Sequence, residues 1–151
     1  MLANQVKNAG ILRSMISLNN LIQEEIKVVL SEFPINYLEY SILTYVSQNI
    51  LTQYKIAKEY NMSVQRINQI ISSLEKIEFV EKKEIKINGR IAKEIIITTK
   101  GEKKIKKIND KVIKMLEMKD IDANLLSSFD KSLKVFLENL SSENSIKNSK
   151  K

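Results

Sequence analysis

Downstream of Ser63 the chain sets out Gln65, Arg66, Asn68, Gln69 and Ser72, five polar side chains within eight residues. Between and after them stand Ile67, Ile70, Ile71 and Leu74, at the three- and four-residue steps of one helix face. With Ser63 as the cap of that helix, the polar five fall on its other side, in the first turns. Asn and Gln can pair with adenine, Arg with guanine and hydroxyls with either, so these groups can read base edges in the major groove of duplex DNA. Three amides and one Arg suit an A·T-rich site with few guanine contacts. Any surface helix also carries a solvated polar face, so the reading depends on the elements around it.

Other chemistries are poorly supplied. The 151 residues include no His and no Cys. That removes the commonest general base and metal ligand. It also removes thiol nucleophiles, redox switches, disulfides and zinc–thiolate sites. Gly10, Gly89 and Gly101 are too far apart to cradle a phosphate. Carboxylate pairs such as Glu24/Glu25 and Asp120/Asp122 read as surface charges, and no EF-hand spacing occurs. No catalytic residue, cofactor or metal is expected, and the chain is read as a non-enzyme. No apolar run approaches the ~18 residues of a membrane span. The N-terminus lacks a basic cluster leading into an apolar block. The expectation is a cytoplasmic protein without a membrane partner.

The net charge is +7, carried by 22 Lys and only three Arg: Arg13, Arg66 and Arg90. The excess lies at 51–99 (+3) and 100–118 (+4). A local basic excess fits a polyanion partner, but charge alone favours the plainer reading of a solvated face. Abundant Ile, Lys and Asn point to an AT-rich genome, which dilutes the lysine signal.

The spacing of apolar residues predicts the elements that hold the polar five. Ile11, Met15, Leu18, Ile22, Ile26, Val29 and Phe33 mark a long helix over 5–33, stopped by Pro34. Its apolar face exceeds what a small core needs, leaving it for a partner chain or for the chain's own C-terminal helices. Asn36 and Glu39 form a capping box for a second helix with Leu38, Ile42, Leu43 and Val46 on its apolar side. Thr52 caps a short helix, Gln53 to Tyr60, and Asn61 supplies the left-handed turn before Ser63. With small Ala57 at the approach, this is the helix-turn-helix pattern, although a plain helical hairpin would share it. A β-hairpin follows, with Asn88-Gly89 as its turn. A two-residue turn pairs Ile87 with Arg90 and Val80 with Ile97, leaving Ile85 and Ile87 poorly buried. A hairpin in this place is a wing. Thr99 and Glu102 form a second capping box, opening a helix over about 101–118. Another helix spans roughly 122–140, and polar residues 141–151 read as a disordered tail. No internal repeat or domain boundary is visible, so 1–140 is read as one domain.

This order resembles the multiple antibiotic resistance regulator (MarR) family of bacterial winged-helix transcription factors. Three stretches carry the likeness: Lys55 to Ser63, Arg66 to Val80, and Ile97-Thr98-Thr99-Lys100-Gly101, which is similar to the family's Leu-Thr-x-Lys-Gly after the wing. The chain departs from it at Glu78, where the family usually has Gly, and in a wing holding only Arg90 in place of an Asp and paired arginines. The resemblance implies a mainly α fold with a small β-hairpin wing. The winged helix-turn-helix would occupy about 35–100, between dimerisation helices at about 5–33 and 101–140. It implies a homodimer binding double-stranded DNA at a pseudo-palindromic operator, which the three amides make A·T-rich, as a repressor released by a small-molecule effector. A winged-helix assembly module that reads no DNA is the alternative.

Site residues follow from both readings. Ser63, Gln65, Arg66, Asn68, Gln69 and Ser72 are expected at the major groove, with Arg90 at a minor groove. Thr52 and Lys86 are expected on phosphates, together with Lys55 and Lys93. Met15, Tyr37, Tyr40 and Tyr45 are candidate effector-pocket residues, and each serves equally as plain core. Zinc- and cysteine-based sensing are excluded by composition.

Overall fold

The protein was analysed as a computed structural model that describes the backbone of residues 2–49 and 51–148 and the side chains of 10–49 and 51–140. Nine elements run in order: α1 (Leu2–Leu30), α2 (Tyr37–Gln48), β1 (Leu51–Thr52), α3 (Gln53–Glu59), α4 (Val64–Lys76), β2 (Val80–Ile87), β3 (Arg90–Ile97), α5 (Thr99–Glu117) and α6 (Ala123–Asn148). The fold is mainly α with a small antiparallel sheet. By contacts the chain divides into two compact units, Met1–Val112 and Ile113–Lys151. The boundary falls within α5, where the sequence shows none.

In the first unit, α1 ends at Leu30, short of the expected 33. Phe33 N donates to the Leu30 carbonyl at 2.8 Å in a turn, because the residue before a proline is pushed out of helical conformation. Phe33 then lies half-buried under the ammonium groups of Lys104 and Lys111, 5.6 and 5.5 Å from its ring centre. Lys111 also pairs with Glu32, so the turn that follows α1 is clasped by α5. The expected α1 stripe splits: Val29 is buried, whereas Ile11 and Leu18 are 57% and 39% exposed. One copy of the chain leaves that half of the face to solvent.

The capping box at α2 forms as expected. Glu39 N donates to Asn36 Oδ1 and Asn36 N donates to the Glu39 carboxylate, at 3.0 and 2.9 Å. Ile42, Leu43 and Val46 enter the core. They meet Ile56 and Ala57 of α3, Ile67, Ile70, Ile71 and Leu74 of α4, Phe79 and Val80 at the wing base, Ile95 of β3, and Ile105 and Ile108 of α5.

The sheet has strand order β1-β3-β2. Its hairpin register is the expected one, Val80 opposite Ile97 and Ile87 opposite Arg90. Ile87 is exposed and Ile85 half-buried. Strand β1 has no counterpart in the sequence reading. It is held by Leu51 opposite Ile95, and its Leu51 is buried in the core.

The passage from α4 into the wing turns on Glu78, whose φ is 63°. This left-handed conformation normally favours Gly, and the surroundings hold it without one. Thr98 Oγ1 donates to the Glu78 carbonyl at 2.6 Å and Lys100 Nζ donates to its carboxylate at 2.5 Å. The Lys100 hydrogen bond and charge hold the Glu78 carboxyl below its ordinary pKa. Thr98 also accepts from Gly101 N at 3.0 Å, which makes it the cap of α5. The expected Thr99–Glu102 box is corrected by one residue: Thr98 is anchored in the sheet, since its N–H donates to the Phe79 carbonyl at 3.0 Å.

In the second unit, α5 closes with Asp120 in left-handed conformation (φ 59°) and Ile121 N donating to the Leu116 carbonyl at 3.0 Å. Asp122 Oδ1 accepts from Leu125 N at 2.8 Å and caps α6. Leu125, Phe129, Phe136, Leu137 and Leu140 are exposed along α6. The helix runs to Asn148, through most of the stretch expected to be a disordered tail; no Pro or Gly interrupts it there. Residues 149–151 lie outside the described residues. No helix among the described residues is long and apolar enough to cross a membrane.

Candidate nucleic-acid interface

The helix-turn-helix closes through Asn61, with φ 50°, and through Met62 N donating to the Ala57 carbonyl at 2.9 Å. A side chain larger than that of Ala57, which is 4% exposed, would push the two helices apart. Ser63 accepts from Arg66 N at 3.1 Å, so α4 starts where its cap predicts. Burial of Ile67, Ile70, Ile71 and Leu74 then dictates the opposite face. Gln65, Arg66, Asn68 and Gln69 are all exposed.

These side chains are already partly ordered. Arg66 Nη1 donates to Gln69 Oε1 at 3.3 Å, and Gln53 Nε2 of α3 donates to Asn68 Oδ1 at 2.7 Å. Gln53 escaped the sequence reading, because nothing local links two residues on different helices. Ser72 behaves differently from the other four. It is half-buried and accepts from Lys82 Nζ at 3.2 Å, while Lys82 pairs with Glu75 at 2.9 Å. Ser72 therefore ties α4 to β2, a role that again needed the fold to be seen.

Thr52 is the cap of α3, accepting from Lys55 N at 3.4 Å. A groove of about 740 Å³ separates α3 and the start of α4 from the wing. Thr52, Gln53, Tyr54 and Val64 form one wall, and Ile87, Arg90, Ile91 and Lys93 the other. Arg90 and Lys93 line the groove from the wing, and Lys55 of α3 and Lys86 of β2 are exposed as well. Gly89, with φ 76°, and Asn88, with φ 50°, make the hairpin turn that carries Arg90 at the tip.

The four candidate effector residues are not gathered into one cavity. Tyr40 donates its hydroxyl to Asn109 Oδ1 at 2.6 Å. Tyr45 packs edge-on against Tyr60 with ring centres 6.1 Å apart, and Tyr60 shares a 2.8 Å hydrogen bond with Ser41. Burial raises the pKa of Tyr40, Tyr45 and Tyr60. Tyr37 alone of the four lines an open groove, about 690 Å³, with Leu30, Phe33, Ile35 and Leu38. Met15 sits on α1, 36% exposed. Three of the four thus act as packing residues or lie on the α1 face.

No family model matches the sequence, and no curated protein matches it. Solved structures do. The transcriptional regulator BldR from Sulfolobus solfataricus superposes with a TM-score of 0.69 at 19% identity, over 87% of this chain and 96% of that one. Wild-type MarR from E. coli, in its apo form, gives 0.68 at 17% identity, over 83% and 95%. A MarR transcriptional regulator from Methanosarcina mazei Go1 gives 0.70 at 17% identity, over 89% and 98%. The chain has the MarR fold. The likeness at these identities is one of architecture, and it spans nearly the whole of each of those chains. Within the MarR fold, the capped helix α4 and the β2–β3 wing are the winged helix-turn-helix, and Arg66 and Arg90 stand on its two projecting elements.

Proposed function

We propose that this chain is a sequence-specific DNA-binding transcription regulator. It acts in the cytoplasm as a homodimer, on an A·T-rich pseudo-palindromic operator, as a repressor. The observation that carries the reading is the face of α4: four exposed base-reading side chains opposite four buried apolar ones, beside a wing tipped with Arg90. The side chains match what a major groove can distinguish, and Lys55, Lys86 and Lys93 around them match phosphates, which position without specifying. Gln65 and Gln69 favour A·T pairs, and Arg90 favours the narrow minor groove of A-tracts.

Dimerisation is supported by apolar side chains that one copy leaves exposed on α1, and separately by those on α6. A two-fold dimer spaces its half-sites about 34–36 Å apart. The groove beside Tyr37 supports release by a lipophilic effector. BldR and the Methanosarcina mazei protein are transcriptional regulators, which supports the same reading over a module for protein assembly alone.

The test is fluorescence anisotropy on the duplex upstream of its own gene against a scrambled duplex, at physiological salt. A clear preference for the upstream duplex is expected, with a stoichiometry of two chains per site. Equal affinity for both duplexes overturns the proposal.

A further inference from the structure

Among the four exposed base-reading candidates of α4, Asn68 is the one held from another helix. Its Oδ1 accepts from Gln53 Nε2 at 2.7 Å, across the gap between α3 and α4. Gln53 is half-buried and lies at the first position of α3, directly after the Thr52 cap. It is also part of the wall of the groove that faces Arg90 and Ile91. The donor is therefore set by an element other than the one that reads.

An Asn amide has an acceptor end and a donor end, and the one that faces a base decides what the base must offer. With Oδ1 drawn toward Gln53, Nδ2 is the end left free for the groove. We infer that Gln53 is a positioning residue that sets the base preference of Asn68, by turning its NH2 toward acceptor edges. Those edges are purine N7, thymine O4 and guanine O6. The inference rests on the DNA-reading function proposed above, and adds to it a residue outside the recognition helix that fixes specificity.

The pair can be inverted without changing its shape. Gln53→Glu replaces the donating amide by a carboxylate, which only accepts. Asn68 must then rotate its NH2 toward Glu at that position and present Oδ1 outward. The favoured edges become donors, adenine N6 and cytosine N4. An acid at the start of a helix is also favourable to the helix dipole, so α3 is retained.

The experiment is selection from a randomised duplex library with the full-length protein, comparing wild type, Gln53→Glu, Gln53→Ala and Asn68→Ala, with thermal unfolding of each variant as a control. The wild type should enrich a two-fold motif. Asn68→Ala should relax one base pair in each half-site. Gln53→Ala should weaken discrimination at that same base pair by roughly threefold or more, a fraction of the value of one good base contact. Gln53→Glu should change the base preferred there. A negative charge near DNA lowers affinity for all sequences, and a merely structural role lowers stability; neither changes which base is preferred at one position. If both Gln53 variants enrich the wild-type motif unchanged, or differ only in overall affinity, the inference is overturned and the DNA-reading proposal stands. If the wild type enriches no motif, both fall together.

Discussion

Gly101 is the third residue of α5 and packs directly beneath the wing base. A Cβ built there lies 2.9 Å from Ile97 Cγ1 and 3.0 Å from the Phe79 carbonyl carbon, and closer still to the Phe79 oxygen. That oxygen is fixed, because it accepts from Thr98 N at 3.0 Å. Gly101→Ala must therefore move backbone on one side or the other. Overpacking of this kind costs about 1–3 kcal/mol. Losing the Phe79–Thr98 bond adds about 1 kcal/mol. Better helix propensity of Ala over Gly returns about 1 kcal/mol. The net is a destabilisation of about 1–3 kcal/mol, a fall of several degrees in Tm for a chain of this size. Thermal and denaturant unfolding measure it. Gly10 provides the opposite sign in the same protein: it is exposed in α1 with nothing within 4 Å of an added Cβ, so Gly10→Ala should gain up to about 1 kcal/mol. A Gly101→Ala protein as stable as wild type would refute the close approach and the account of the Thr-x-Lys-Gly stretch built on it.

Three further outcomes are expected. Arg66→Ala should cost about 1–3 kcal/mol in binding the selected duplex and relax specificity, whereas Lys86→Ala should weaken all duplexes alike and lower the salt slope by about 1; anisotropy titrations at several salt concentrations separate the two. Glu78 has its pKa lowered by Lys100, so its contribution to stability is present above the ordinary carboxylate pKa and is lost as pH falls through the lowered one. Urea midpoints across the acid range should show that slope in wild type and less of it in Glu78→Gln. Tyr40 has its pKa raised by burial, so the folded state favours the neutral phenol and loses that stability as pH rises through the raised value. Phenolate absorbance should report three tyrosines titrating late, and Asn109→Leu should alter the curve of Tyr40.

The parts of this fold that were legible are those fixed by chemistry within a few residues. Asn36, Thr52 and Ser63 cap the helices they precede because a short oxygen-bearing side chain can reach an amide three residues on. Asn88-Gly89 sets the hairpin register because few residue pairs tolerate that turn. What was not legible depends on distant partners. Strand β1 consists of two residues and exists through Ile95. Thr98 and Thr99 are both hydroxyls, and only the sheet bond to Phe79 selects Thr98 as the cap. The exposure of Gln65, Arg66, Asn68 and Gln69 is legible because four buried neighbours on α4 dictate it. Ser72 and Gln53 take their roles from Lys82 and Asn68, on other elements. Tyr40 and Tyr45 likewise take their partners, Asn109 and Tyr60, from other elements.

The wing is anchored at one end only. Val80 and Ile95 are buried near its base, while Ile87, Asn88, Gly89 and Arg90 at the tip are all exposed. Opening energies must therefore fall along the ladder, from the global value at the base toward zero at the turn. Amide hydrogens near Val80 should exchange with solvent slowly and those near Arg90 fast, with no sharp step between. Under the proposed function, holding the exposed Arg90 in a groove carries an entropic cost. On that reading, stiffening the hairpin away from Arg90 would lower that cost, and the strand pairs themselves would then tune residence time on DNA.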